Sequence, residues 1–416
     1  MGLTQWMVNA VRRGGGAEQP RLGQVVMPRR EDSVRDYPSA GLTPSRLTAI
    51  LREADEGQLS SAMQLYEEME EKDPHLYAIA NTRRLALTGL PWRIAPAAVT
   101  DGHAALAARC AAYCQEVVHQ IDSLDEVLQH LSLALGRNIA VAEIVWDIVD
   151  GAPQPVGLFP VDFTRMVFDE LDRPRVLTAE NPRDGIALSP GKFVVHAPHS
   201  ASGVTVGGGH AQRGGLLRVT ALAYLAKHLA LKDWMIFAEV FGMPIRIARY
   251  EPSATPEEKR EMLRMLESLG SNAAGIFSRA VELQIVESNR QASGGPYERL
   301  LDFLNREMSK AWLGQTLTTD IAGQSGSVAA SRVHEQVRQD ILLDDLRKEA
   351  RTMRRDLLAP MTRLKFGPDA PVPLFVREVR GTEDKVTLAN ILDVAINRLG
   401  ITVPESWARR ALGIPE

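Results

Sequence analysis

An unbroken apolar stretch between Gly214 and Pro244 constrains this chain more than any other part of the sequence. After Gly215 it contains no proline and no glycine before Gly242, and most of its residues are good helix formers. Pro244 ends the helix, because proline lacks an amide donor and disfavours a helical residue before it. Residues 245–247 alternate apolar and basic side chains, as a short strand does. The stretch therefore predicts one long helix that leads into a small separate module.

The predicted helix carries too much charge to cross a membrane, although it is long enough to do so. Each central charge costs about 2.5–3.5 kcal/mol on insertion. A helix that is apolar on most faces must then be covered by protein. Two alternatives stay open: it is the core helix of a large monomer, or it packs between copies of itself in an oligomer. The charged residues are Arg218, Lys227, Lys232, Asp233 and Glu239.

Length and charge bound the class of protein. The chain has 416 residues, more than a single hydrophobic core usually supports, so more than one domain is expected. Its net charge of -4 argues against a protein that binds nucleic acid through its overall charge, although a local basic patch or a channel for DNA is compatible with it. The two cysteines, Cys110 and Cys114, form no disulfide framework and indicate a reducing compartment.

The predicted elements follow an α+β order in which long helices flank a small insertion. Helix starts are indicated at Thr43-Pro44 and Asp73-Pro74, where a capping side chain precedes a proline at the first helical position. Helices continue to about residue 135, and strands dominate from Ile139 to residue 197. The other predictions are helices at 60–72, 255–268 and 297–312, strands at 275–277 and 281–287, a long charged helix at 329–364 broken or kinked at Pro360, and tail helices at 386–399 and 404–412.

No enzymatic motif emerges from the glycines or the histidines. The nearest match to a phosphate-binding loop, residues 185–192, has the wrong spacing and a phenylalanine where the motif needs a hydroxyl. His196, His199 and His210 lie close together, but the residues between them offer no cysteine or acidic ligand. We therefore predict surface histidines, and we expect neither a metal nor a cofactor.

We interpret the two cysteines and the paired acidic residues as structural residues without a role in catalysis. Cys110 and Cys114 are one helical turn apart and are predicted to be small core residues. Acidic pairs at 70–71 and 344–345 are predicted to lie on solvated helix faces. The helix at 329–364 is either an exposed helix with ion pairs one turn apart or a helix that exchanges ion pairs between subunits. Spacing alone does not separate these two interpretations.

Three stretches of the chain resemble the phage Mu-like portal proteins. They are residues 36–94, which begin DYPSAGLTPSRL, residues 232–251 (KDWMIFAEVFGMPIRIARYE) and residues 314–337 (GQTLTTDIAGQSGSVAASRVHEQV). The resemblance spans most of the chain and is weakest before residue 36 and after about residue 376. It implies an α+β portal fold that forms a ring, commonly of twelve subunits, around a central DNA channel.

The parts of a portal subunit would follow the order of the predicted elements. Neighbouring stem helices in such a ring would cover each other's apolar faces, which favours the oligomer over the large monomer. The implied parts are a flexible N-terminal arm (1–35), an α+β wing (36–213), a first stem helix (214–241), a clip (242–290), a second stem helix (291–313), a tunnel loop (314–328), a long wing helix (329–375) and a C-terminal crown (376–416).

The resemblance also implies roles for particular residues. Short polar side chains of the tunnel loop would contact DNA phosphates without holding them, because strong binding needs lysine or arginine. Apolar stem residues would pack between subunits, and clip residues would contact neighbouring subunits or other virion proteins. These residues are Gln315, Thr316, Thr318, Thr319, Asp320, Gln324, Ser325 and Ser327 in the loop, Leu217, Leu225, Leu229, Trp234 and Phe237 in the stem, and Met243, Arg246 and Arg249 in the clip.

The expected partners and location follow from the same resemblance. They are double-stranded DNA in the channel, the terminase large subunit, the major capsid or scaffold protein and the head-tail connector proteins, with no membrane. The protein would assemble in the cytoplasm of a bacterial host and remain in the virion at one capsid vertex, without enzymatic activity. The alternatives are a nucleotide-dependent enzyme, which the missing phosphate-binding loop disfavours, and a monomeric α+β adaptor or scaffold of the phage head.

Overall fold

The structure is a computed structural model of the chain. It describes most of residues 41–416 and leaves the predicted N-terminal arm, 1–35, outside the described residues. Its mixture of helices and antiparallel sheets agrees with the predicted α+β class. The described residues are 41–99, 102–199, 210–242, 245–249, 255–257, 260, 282–286, 295–316, 328–379, 385–412 and 414.

Three helices open residues 41–199, which together with the strand β10 (Leu374–Arg377) we call the wing, as a name for these residues. The first and the third helix begin where the capping residues predict. The three helices are α1 (Pro44–Asp55), α2 (Ser60–Lys72) and α3 (Pro74–Thr88). The Thr43 side chain accepts a hydrogen bond from the Arg46 amide at 3.2 Å, and Asp73 accepts from the amides of residues 75 and 76 at 3.0 Å. These bonds satisfy donors that a helix start otherwise leaves unpaired.

Three more helices and small antiparallel sheets complete the wing. A three-stranded sheet has the order β3-β2-β7, a second has the order β4-β5-β6, and β1 pairs with β10 from the far end of the chain. The elements are α4 (Ala104–His119), α5 (Leu124–Ser132), α6 (Ala134–Arg137), β1 (Trp92–Ala95), β2 (Ala140–Val149), β3 (Ala152–Pro160), β4 (Met166–Phe168), β5 (Pro174–Val176), β6 (Ile186–Ala187) and β7 (Phe193–His196).

The long apolar stretch forms one helix, as predicted. It is α7 (Leu216–Gly242), and it runs antiparallel to α8 (Gly295–Leu313). The end of α7 meets the start of α8, where Trp234 stacks on Tyr297 with ring centroids 6.4 Å apart. Between them, β8 (Ile245–Arg249) pairs with β9 (Glu282–Val286), in agreement with two of the predicted strands. The predicted strand at 275–277 lies outside the described residues.

The charged helix continues through the position where a break was predicted. It comprises α9 (Val328–Met353), a π-helical turn (Arg354–Leu358) and α10 (Ala359–Phe366). Pro360 has no amide hydrogen, so it cannot donate the regular α-helical hydrogen bond. The helix accommodates it by widening into a π-helical turn directly before it, in which the Ala359 amide donates to the Arg354 carbonyl. Of the two predicted alternatives, the break at Pro360 is therefore wrong, and the kink stays a prediction.

The tail returns to the wing before it forms its own helices. Strand β10 (Leu374–Arg377) pairs with β1, so the predicted crown boundary at residue 376 falls inside a wing strand. The tail helices are α11 (Lys385–Asp393), extended by a π-helical turn (Val394–Arg398), and α12 (Glu405–Leu412), close to the predicted ranges.

The core of the described chain consists of two hydrophobic clusters, and strand β2 contributes residues to both. The first joins the opening helices to the start of α7 and the end of α8, through Met69, Leu217, Tyr224 and Trp312. The second packs α4 and α5 against β2 and the π-helical turn, and it contains Cys114. Both cysteines are buried, which confirms them as core residues.

Glu70 is buried, which contradicts its predicted place on a solvated face. Its carboxylate pairs with Arg84 and with Arg137, whose Nη1 lies 2.7 Å from Oε2. Arg137 also lies over the Phe163 ring, 4.8 Å from the centroid. The prediction is wrong because the two arginines come from other helices, which spacing within α2 does not reveal. Glu71 is exposed, as predicted.

Candidate assembly and channel surfaces

The first half of α7 belongs to the core of its own chain. Leu217 is fully buried and Leu225 is 2% exposed. A side chain covered in this way cannot contact a neighbouring subunit, so the predicted inter-subunit role is wrong for these two residues. The reason is that Trp312 of α8 and the α6 helix pack against this part of α7.

The other three predicted stem residues lie beyond the wing. Leu229 is 41% exposed. Trp234 and Phe237 are half-buried, and both rings pack on Tyr297 of α8. These ring contacts hold α7 and α8 together within the chain, and part of each of the two side chains stays exposed.

One face of α7 exposes apolar residues along most of its length. Val219, Leu222 and Ile236 are 55%, 68% and 48% exposed, and with Leu229 they are spaced by three and seven residues. This spacing places them on one side of a helix. We name these four residues the stem stripe. The sequence did not single out this face, because α7 is apolar nearly all round.

The charged residues in the buried half of α7 have partners in the wing. Arg218 donates to the Asp55 carboxylate at 3.0 Å, and Lys227 donates to Asp73 at 2.7 Å. These pairs explain how an otherwise apolar helix tolerates cations in its first turns. Lys232 and Asp233 lie farther along and are exposed.

Of the predicted tunnel loop, 314–328, residues 314–316 and the last residue, Val328, lie in the described part of the chain. Gln315 is 5% exposed, so its predicted position on a channel surface is contradicted. Thr316 is half-buried. The other predicted lining residues, Thr318, Thr319, Asp320, Gln324, Ser325 and Ser327, lie outside the described residues.

The predicted loop begins at Gly314, where any residue with a side chain would be strained. Gly314 has φ +67°, and a Cβ atom there would lie 2.9 Å from Val337 Cγ1 and 3.1 Å from Ile341 Cδ1 of α9. The backbone of α8 therefore passes directly against α9 at this point.

The acidic pair on α9 divides between core and surface. Asp344 is exposed and pairs with Lys348 at 2.6 Å. Asp345 is 2% exposed and pairs with Arg83 of α3, so the predicted solvated face is wrong for Asp345. As with Glu70, the partner is distant in sequence.

The clip residues are only partly described. Met243 lies outside the described residues. Arg246 and Arg249 belong to β8, opposite Ile285 and Glu282 of β9 in the antiparallel register.

The three neighbouring histidines have different environments. His196 is 3% exposed and bonds to the Thr352 hydroxyl through Nδ1 at 2.9 Å, so the prediction of a surface histidine is wrong for it. Burial, with Arg355 nearby, lowers the pKa of His196 to about 3, and burial beside Lys348 lowers the pKa of His199 to about 4. His210 is partly exposed and faces Asp172 at 2.9 Å.

The described residues contain neither a cluster of metal ligands nor a membrane-spanning helix. No group of three or more histidine, cysteine, aspartate or glutamate side chains there is arranged to hold a metal ion. None of the helices in that part of the chain combines the length and the apolarity of a membrane span.

Comparison with known families and sequences matches most of the chain. Residues 63–414 match the family described as "Portal protein of Mu bacteriophage". The chain is 29% identical over 385 residues to the Mu-like prophage FluMu protein gp29 of Haemophilus influenzae, covering 91% of this chain and 72% of that protein. It is also 29% identical over 386 residues to the portal protein of Escherichia phage Mu, covering 92% and 73%.

Solved structures share the fold at low sequence identity. A chain in the virion of a native gene transfer agent particle aligns with a TM-score of 0.54 at 12% identity, covering 91% of this chain and 96% of that one. A chain from the neck of the native particle, computed with C12 symmetry, aligns with a TM-score of 0.54 at 11% identity, covering 90% and 95%.

Proposed function

The chain belongs to the family of phage Mu portal proteins, and on that premise we propose that its copies close into a ring around a channel for double-stranded DNA. Portal proteins are structural, non-enzymatic components of the virion, and the predicted absence of catalysis agrees with this family. In the proposal, the ring occupies one vertex of a phage capsid after assembly in the host cytoplasm.

The stem stripe is the observation that supports the ring most directly. Burying a side chain such as leucine contributes about 1.5–3 kcal/mol. The stripe presents four such residues on one helix face, and no other part of the described chain covers them to the level of the core. A neighbouring subunit would cover them, and a rotational ring repeats one such contact between each subunit and the next.

The second long helix offers a surface for that contact. Leu300 and Phe303 of α8 are 42% and 56% exposed. In a ring each subunit uses two different surfaces, so the stem stripe of one copy would pack on the exposed side of α8 in the next. Twelve copies are proposed because a structure of the same fold is described with C12 symmetry.

The remaining roles rest on family membership. The clip, 242–290, with Met243, Arg246 and Arg249, would contact neighbouring subunits, the terminase large subunit and the head-tail connector proteins. The wing would face the major capsid or scaffold protein.

We expect Leu222→Glu to prevent ring formation. A carboxylate in the apolar contact would have to be desolvated without a partner, which costs several kcal/mol at each interface. The measurement is the mass of the purified protein in solution. Leu171→Glu is the matched control, because Leu171 is 70% exposed and lies in a turn of the wing. Rings that persist in Leu222→Glu would contradict the stripe, and a wild-type protein that stays monomeric would favour the adaptor alternative.

We expect deletion of residues 318–326 to impair DNA packaging or retention while rings still assemble. The segment 314–328 contains no lysine or arginine and one acid, Asp320, so it suits a surface along which DNA slides. The measurement is the amount of DNA in particles that carry the deleted protein, beside electron micrographs of its rings. Unchanged packaging would count against the channel role of this loop.

A further inference from the structure

A single arginine of the wing binds the two helices between which the segment 314–328 lies in the sequence. Arg83 of α3 donates from Nε and Nη2 to the two carboxylate oxygens of Asp345, at 2.9 and 3.0 Å. Its Nη1 donates to the main-chain carbonyl of Trp312 at 2.8 Å. Trp312 lies at the end of α8, two residues before the segment, and Asp345 lies in the middle of α9, the helix that follows the segment.

The burial of this group makes its geometry specific. The side chain of Arg83 is 11% exposed and that of Asp345 is 1% exposed. A buried two-point contact between a guanidinium and a carboxylate is among the strong hydrogen-bonded pairs, and its planar geometry admits one orientation. The carbonyl of Trp312 is one of the last in α8, and these lack partners within a helix. Arg83 therefore donates to a carbonyl at the end of α8 and binds α9 with the same side chain.

Close contacts near Arg83 restrict the backbone at Gly314, where the segment begins. Gly314 follows with the tight approach to Val337 and Ile341 of α9. A cavity of about 30 Å³ lies beside it, lined among others by Arg83, Trp312 and Gln315. The start of the segment is thus a packed junction of α3, α8 and α9.

A second arginine provides a natural comparison one helical turn along α9. Arg377 of β10 makes the same two-point contact with Glu349, at 2.9 and 2.8 Å, and donates to the carbonyls of Thr88 and Leu90 at the end of α3. Both side chains of the pair are 3% exposed. This pair matches that of Arg83 in chemistry and burial, but its hydrogen bonds reach α3 and α9 and not α8.

We propose that Arg83 is a positioning residue that holds the end of α8 and the middle of α9 against α3. Residues 314–316, the described start of the segment, then keep a position set by α3, which would fix where the proposed channel loop begins. The consequence for DNA rests on the proposed channel function. The anchoring itself does not, because it concerns contacts within one chain.

The test compares Arg83→Lys with Arg377→Lys by hydrogen exchange of the full-length assembled protein. Lysine keeps the charge but cannot bind the carboxylate at two points and the carbonyl at once. The amide of Gly314 donates to the Lys310 carbonyl at 3.0 Å and reports on the end of α8. We expect Arg83→Lys to raise its exchange rate at least about tenfold. We expect Arg377→Lys to leave that rate unchanged and to raise exchange between β1 and β10.

Equal exchange of Gly314 in the wild type and in Arg83→Lys would overturn the anchoring, and so would an equal increase in both variants. Should Arg83→Lys fail to fold, Arg83→Met with Asp345→Leu replaces the pair by apolar side chains, which buried ion pairs often tolerate. That double variant still lacks the bond to the Trp312 carbonyl, so faster exchange at Gly314 is expected again. Packaging measured beside exchange separates the two claims: faster exchange with normal packaging supports the anchor and contradicts the channel role of the loop.

Discussion

Gly215→Ala is expected to lower the free energy of unfolding by about 3–5 kcal/mol. Gly215 has φ +98°, a conformation that residues with a side chain rarely adopt, and it directly precedes α7. A Cβ atom at this position would lie 2.3 Å from the Gly136 carbonyl oxygen and 3.0 Å from the Asn138 amide nitrogen. Both atoms belong to the main chain, so neither can rotate away, and α7 would have to move from the wing.

A matched glycine separates the clash from the backbone conformation. Gly367 has φ +101°, and a Cβ atom there would have no neighbour within 4 Å. Gly367→Ala should therefore cost only about 1–2 kcal/mol, the price of the conformation alone. Denaturant unfolding of the two variants gives both values. Equal destabilisation would show that the close approach of α7 to the α6–β2 corner is not rigid.

Acid is expected to destabilise the fold between pH 7 and pH 5, through histidines that are buried in the neutral form. Burial lowers the pKa of His196 to about 3 and the pKa of His130 to about 4, below the ordinary value of 6.5. The unfolded chain therefore binds protons at a higher pH than the folded chain does. The stability that these neutral histidines contribute is fully present above about pH 6.5 and is lost as the pH falls toward their lowered pKa values.

His196 allows the effect to be assigned to one residue. It is the last residue of β7 and packs against Thr352 of α9. Its charged or titratable neighbours include Arg355, Lys348 and His199, and none of these three favours its protonation. A histidine buried in this way contributes about 2 kcal/mol less at pH 5 than at pH 7.5. His196→Gln can keep a bond to Thr352 and should reduce the pH dependence by that amount.

The measurement is the difference in unfolding free energy between pH 7.5 and pH 5, for the wild type and for His196→Gln. Other groups titrate in both proteins and cancel in the comparison. The control is the same substitution at an exposed histidine, His103→Gln, which changes a side chain on the surface before α4 and not in the core. A His196→Gln protein with the pH dependence of the wild type would contradict the buried neutral histidine.

Local sequence signals predicted the elements well, because their causes are local. The cap at Thr43, the proline at residue 74 and the proline after α7 each act within one helical turn. The length of α7 followed from helix formers without interruption. The π-helical turn before Pro360 could not be predicted, because a proline signals a disturbance and tertiary contacts decide whether the helix breaks or widens.

Burial of charge and the choice of face could not be read from spacing. Glu70 and Asp345 look like surface acids until Arg137 and Arg83 are brought to them from other helices. Leu217 and Leu222 are alike in sequence, but one packs against the wing and the other is exposed. Only the tertiary position of α7 distinguishes them. The candidate assembly surface therefore needed the structure, whereas the helix that carries it did not.

The most direct test of the account is electron microscopy of the purified wild-type protein, at a resolution that shows side chains. We predict a closed ring with a central channel, in which Leu222 and Ile236 of α7 are covered by a neighbouring subunit. Single copies under all assembly conditions would contradict this, and so would a ring whose neighbouring subunits leave those two side chains in solvent.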